Sequence, residues 1–109
     1  MSELFIKDKD ILTKIEVDEV YFFVKRNSKV YAVMVDGNIE INSTLYYVSG
    51  LLGKNFIRSH RGYIINMNKI DEISKISAKT YNVSFKGILD IAYITSNNLK
   101  LIAKRYSII

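Results

Sequence analysis

The sequence predicts a mainly β fold of antiparallel sheets with one or two short helices. Three observations carry that expectation. Short runs of aromatic and β-branched residues recur, as in Val20–Arg26 and Lys29–Val35, and such residues suit a pleated, half-buried surface. Tight polar or glycine-bearing turns separate the runs, among them Asn27-Ser28, Asp36-Gly37-Asn38 and Lys86-Gly87, which is the spacing of hairpins. Only residues 43–53 and 99–106 change to a helical period.

Taken in order, Val20–Arg26 and Lys29–Val35 form the first predicted hairpin, and Asp36-Gly37-Asn38 turns the chain into Ile39–Ile41, which alternates at period two. Residues 43–53 then predict a short amphipathic helix. Ser43 is a natural N-cap, Leu45, Val48, Leu51 and Leu52 share one face, and Gly53 stands where a C-terminal cap is expected. Tyr46 and Tyr47 on this helix are expected to pack rather than to do chemistry. Tyr63–Ile65 and Ile70–Ile76 are predicted strands around the polar turn Asn66-Met67-Asn68. Thr80–Phe85 and Ile88–Ile94 follow as a hairpin, and the polar Thr95–Asn98 leads into a helix over Leu99–Tyr106. Leu99, Ile102 and Ala103 or Tyr106 provide its apolar spacing.

A chain of 109 residues, half of them apolar, suits one folded domain spanning 1–109. There is no proline to mark a linker, and there is no internal repeat. The absence of cysteine excludes disulfides, thiol catalysis and thiolate metal sites, and it suits a reducing cytoplasm. A single histidine speaks against a zinc site, so neither metal nor cofactor is expected. No apolar run approaches the roughly 18 residues of a membrane-spanning helix.

Charge is distributed unevenly. Residues 1–40 carry six Lys/Arg against eight Asp/Glu, and residues 41–109 carry ten against three. A basic excess of this kind fits either a polyanionic partner or a solvated basic surface. Lys25, Arg26, Lys29, Lys54, Arg58, Lys100, Lys104 and Arg105 are candidates for phosphate contacts.

The densest chemistry lies in Asn55-Phe-Ile-Arg-Ser-His-Arg-Gly-Tyr-Ile-Ile-Asn66. Arg58, Ser59, His60 and Arg61 interrupt two apolar strands, beside a glycine that frees the backbone. Arginine pairs bidentately with phosphate or base edges. His60 as a catalytic base lacks an identifiable carboxylate partner, and neighbouring guanidinium groups lower a histidine's pKa. Asp71-Glu72 resembles a carboxylate pair, but adjacent strand residues face opposite ways. No phosphate-cradling glycine loop occurs. An enzyme is therefore not expected.

This segment, continued by Met67–Ile73, resembles the hallmark of the LytTR family, the DNA-binding domains of LytR/AgrA-type bacterial response regulators. Val17–Phe23 resembles that family's early segment, and Ile94–Lys100 its closing one. The resemblance spans about residues 11–106. It implies an elongated fold of small packed sheets and a cytoplasmic transcriptional regulator. It further implies binding to promoter DNA with repeated elements, as a dimer or as paired monomers, through loops entering successive major grooves. Carried over by position, principal contacts fall on Arg61 and on Ser96-Asn97, and a further one on the Asn27–Lys29 hairpin. The full candidate set is Asn27, Ser28, Lys29, Arg58, Ser59, His60, Arg61, Ser96, Asn97, Asn98 and Lys100. Within it, the resemblance gives His60 the task of orienting its turn.

Two departures stand out. Gly62 replaces the family's usual serine, and Asn97 and Asn98 stand where arginine is common. Arginine reads guanine whereas asparagine reads adenine, so base preference is expected to differ there. The family's receiver domain has no counterpart in these residues, which leaves open a free-standing member or a portion of a longer regulator. The alternative is a basic β domain that binds RNA or acts as a protein-interaction module. An RNA reader displays aromatics on an open sheet face, whereas Tyr21, Phe22, Phe23, Tyr81 and Phe85 are expected in the core.

Overall fold

Two central strands that bury residues on both faces organise the molecule into layers. In the computed structural model, which describes residues 3–109, a five-stranded antiparallel sheet has the order β5-β4-β3-β7-β6. Its strands are β3 (Phe22–Arg26), β4 (Lys29–Met34), β5 (Gly37–Ile41), β6 (Phe56–His60) and β7 (Tyr63–Asn66). Phe22 and Phe23 are both wholly buried yet belong to opposite faces, because successive strand residues alternate. Each buried ring stabilises by roughly 1.5–3 kcal/mol, so the strand anchors two cores at once.

Phe22, Val24, Val33 and Ile65 pack with Val83, Phe85, Ala92 and Ile94. These last four belong to a three-stranded sheet of β8 (Ile70–Lys75), β9 (Thr80–Phe85) and β10 (Ala92–Thr95). On the other face, Phe23, Ala32, Ile41 and Ile64 pack with Ile6, Ile15, Leu45 and Val48. That second layer consists of a hairpin, β1 (Glu3–Asp8) with β2 (Ile11–Glu16), and the helix α1 (Leu45–Ser49). The final helix, α2 (Leu99–Arg105), buries Ile102 against the first core. The molecule is elongated, 48 × 27 × 25 Å along its principal axes. Met1 and Ser2, part of the expected 1–109 domain, lie outside the described residues. No helix among the described residues is long and apolar enough to cross a membrane.

The mainly β fold with two short helices is as expected, and so are the buried aromatics Tyr21, Phe22, Phe23 and Phe85. Several local expectations need correction. The hairpin β1–β2 was not anticipated. Helix α1 is shorter than 43–53: Thr44, not Ser43, caps it by accepting the Tyr47 N–H, and Gly50, not Gly53, ends it. Tyr46 and Tyr47 do not pack into the core but are 83% and 61% exposed, since the helix is one turn long and presents only Leu45 and Val48 inward. The β4–β5 turn falls at Val35-Asp36, with Gly37 already paired to Met34. Residues 88–91 are not strand. β9 ends at Phe85 and offers them no ladder, so Leu89 stands fully exposed.

Candidate nucleic-acid interface

Antiparallel pairing brings two turns to the same end of the central sheet. β3 pairs with β7, Val24 opposite Tyr63, and the Lys25 N–H donates to the Gly62 carbonyl at 3.0 Å. The β3–β4 turn, Asn27-Ser28, and the β6–β7 turn, Arg61-Gly62, therefore lie side by side. A shallow hollow between them is lined by Lys25, Asn27, Ser28, His60, Arg61, Gly62 and Tyr63. Asn27 and Ser28 have φ of 50° and 70°. Two successive left-handed residues make the turn whose twist suits a hairpin. Asparagine tolerates this conformation, but serine stores strain there.

A third turn, the single 3-10 turn Ser96–Asn98 between β10 and α2, is tied to β6 just before the Arg61-Gly62 turn through Asn98. Its side-chain amide donates to the carbonyls of Arg58 at 3.2 Å and Ser59 at 3.1 Å. The local reason is a β-bulge. Arg58 pairs with Ile64 and His60 with Tyr63, so Ser59 is the extra residue in β6, and a bulge disrupts the ladder locally and re-aims a side chain. Ser59 turns fully inward, and its hydroxyl donates to the Tyr93 carbonyl of β10 at 2.8 Å.

The candidate residues thus separate by role. Arg61, Asn27, Ser28, Lys29, Ser96, Asn97 and Lys100 have exposed side chains. Ser59 is buried, and Asn98 is engaged with backbone. Arg58 folds back over the turn, donating from Nε to the His60 carbonyl and from Nη2 to the Arg61 carbonyl. His60 holds the same turn from within, because its Nδ1 accepts the Gly62 N–H at 3.0 Å. Only a ring without a proton on Nδ1 can do so. Burial, then Arg61 and Arg58, holds the His60 pKa below its ordinary value and favours that neutral ring. Tyr63 and Tyr93 enclose the imidazole, with ring centroids 5.6 and 6.3 Å away. Burial raises the Tyr63 pKa, as does Tyr93, so its phenol stays neutral.

Gly62 needs no glycine here. It has no left-handed φ, and an added Cβ would meet only His60 Nδ1, at 3.6 Å. The expected freedom of that glycine is therefore not used.

Among the described residues the salt bridges are Lys14–Glu3 and Lys29–Glu40, the latter at 3.8 Å and exposed. Among the described residues Lys25, Arg26, Arg61 and Lys100 have no carboxylate partner, so the turn end keeps an excess of positive charge. Lys54, Lys104 and Arg105 form a separate group. Arg105 donates to the Lys54 carbonyl and to Asn55 Oδ1, at the start of β6, a strand length of roughly 15 Å from the His60 end. Among the described residues no cluster of His, Asp and Glu could hold a metal ion. Sequence reasoning missed Tyr63 and Tyr93 as the walls around His60. It also missed the inward role of Ser59, which the alternation from Ile57 could have suggested.

Comparison with known proteins gives the family and the fold. The profile of the LytTr DNA-binding domain matches residues 10–107. The transcriptional regulatory protein NatR of Bacillus subtilis is 28% identical over 106 residues, which cover 96% of this chain and 46% of NatR. The chain thus spans about half the length of that relative. A solved structure, the LytTr DNA-binding domain of a putative methyl-accepting/DNA response regulator from Bacillus cereus, superposes with a TM-score of 0.81 at 21% identity, covering 99% of both chains. Carrying the family's hallmark segment on the family's fold, this chain belongs to the LytTr DNA-binding domain family.

Proposed function

We propose that this domain binds double-stranded promoter DNA sequence-specifically and without enzymatic activity, using the three-turn end as its reading surface. The observation that carries the proposal is the convergence of Asn27-Ser28, Arg61 and Ser96-Asn97, from distant parts of the chain, onto one basic end where, among the described residues, only Lys29 has a carboxylate partner. Arg61 reads a guanine edge from the β6–β7 turn, and Asn97 favours adenine from the turn before α2. Lys25, Arg26, Lys29 and Lys100 hold flanking phosphates and fix the register. Arg58, Ser59, His60 and Asn98 support the turns. Because each domain reads few bases, a useful operator contains repeated elements occupied by a dimer or by paired monomers. A receiver domain elsewhere in the regulator would couple such pairing to a signal, in the cytoplasm.

The experiment is selection of bound duplexes from a random pool, followed by gel shifts on the winner with RNA competitor at several salt concentrations. A recurring motif, resistance to RNA competition and an affinity falling steeply with salt are expected, since each neutralised phosphate contributes about 0.9 to the log–log slope. Enrichment of no motif, or equal competition by RNA, would overturn the reading. Affinity independent of salt would point to an apolar protein partner instead.

A further inference from the structure

The bulge in β6 and the side chain of Asn98 form one device. The Asn98 side chain turns back into the protein instead of standing out from its turn. A bulge leaves backbone groups of the bulged strand without ladder partners, and unpaired carbonyls at a half-buried site cost free energy. Asn98 bonds the carbonyls of two successive peptide links, those of Arg58 and Ser59, at 3.2 and 3.1 Å. Its own backbone N–H is held by Thr95 Oγ1 at 3.1 Å, so the amide projects from a fixed base. On the interior side, Ser59 Oγ bonds the Tyr93 carbonyl at 2.8 Å. The Ser96 N–H bonds the Lys79 carbonyl at 2.9 Å. Arg58 then carries the constraint onward by donating to the His60 and Arg61 carbonyls.

We infer that Asn98 is a positioning residue that fixes the offset between the Arg61 turn and the Ser96-Asn97 turn, and so sets which base spacing the domain accepts. This rests on the proposed reading of DNA by those two turns. The two turns come from different sheets, β6–β7 and β10. Without a polar tie, they would shift relative to one another as the sheets slide. A misplaced donor loses a directional bond steeply with distance and angle, whereas a phosphate contact is forgiving. Asn98 therefore acts on discrimination between sequences and not on general affinity for DNA.

The test is Asn98→Ala in the intact chain, with wild type, a selected duplex, a random duplex, and selected duplexes carrying one base pair inserted or removed between the two read positions. Expected for the variant is an unchanged affinity and salt slope on random DNA. Preference for the selected duplex should fall by about three- to tenfold, the worth of one or two ordering hydrogen bonds. The penalty for altered spacing should shrink as well, and base preference should relax at both read positions together. Ser59→Ala, which removes only a hydroxyl, should show the same pattern at smaller amplitude. Loss confined to one base position would make Asn98 a base-reading residue and overturn the inference. Equal loss on both duplexes, unchanged discrimination, or a Ser59→Ala variant with wild-type spacing dependence would overturn it too. If the wild type selects no sequence at all, the underlying reading of DNA has failed, and that outcome is separate from the Asn98 result.

Discussion

The two ends of the paired sheets handle backbone strain in opposite ways. At one end, the left-handed positions of the β3–β4 turn are occupied by Asn27 and Ser28. At the other, the left-handed positions of the β4–β5 hairpin and of the bend after β9 are Gly37 and Gly87. Glycine takes such angles at no steric cost, whereas serine stores strain there. The first end also tucks Arg58, His60 and Asn98 back onto turn carbonyls and amides, while the second leaves Val35 and Leu89 exposed without partners. One end spends stability to keep side chains in defined places. The other simply turns the chain, which is what a reading surface and a structural rim should each look like.

The largest expected effect lies at the structural rim. A Cβ at Gly87 would sit 2.8 Å from the Tyr21 hydroxyl, which donates to the Lys86 carbonyl. With φ at 98° as well, Gly87→Ala should cost about 2–3 kcal/mol. Chemical denaturation checks this, and the folded fraction should keep its DNA discrimination. Next comes Arg61→Ala, expected to weaken specific duplex binding by about 1–3 kcal/mol with little change in melting. Leu89→Ala, at the other end, should leave binding alone. Binding of Arg61→Ala within twofold of wild type would remove the contrast between the ends.

A smaller effect tests the strain itself. Ser28→Gly should raise stability by up to about 1 kcal/mol, because glycine relaxes the second left-handed position, while lowering DNA affinity by the loss of the seryl contact. A variant that gains stability and binds as well as wild type would mean that Ser28 is strained but makes no DNA contact. The smallest effect is a pH dependence. Because the folded-state pKa of His60 is depressed, the unfolded chain takes up its proton first. The stability it contributes is full above its ordinary value of 6.5 and is lost as pH falls towards the folded-state value. Melting curves of wild type and His60→Ala should therefore differ most above pH 6.5 and converge below it. A constant difference would mean that the neutral ring does not hold the turn.

Runs of aromatic and β-branched residues made the central sheet legible, because β3 and β4 bury residues on both faces. The hairpin β1–β2 was not legible. Ile11 and Leu12 are both exposed, so β2 lacks an apolar period, and its turn uses Lys9 at a φ of 55° rather than glycine. Residues 88–91 misled in the opposite sense, being apolar without a strand to pair with. For the site, the residue types around Arg61 announced anion recognition, but not which turns would meet it. That convergence follows from pairings across the chain, and only the family resemblance anticipated it. The inward role of Asn98 depends on a one-residue bulge in β6 and on carbonyls about forty positions away, which no local pattern encodes, whereas that of Ser59 could have been read from the alternation with Ile57.

The most direct test of the central claim is a backbone amide NMR titration of the domain with a duplex selected from a random pool. The largest shift changes are expected at residues 27–29, 58–62 and 96–100, with residues 35–38 and 86–91 unmoved. Changes centred on 35–38 and 86–91, with the three-turn end silent, would contradict the account.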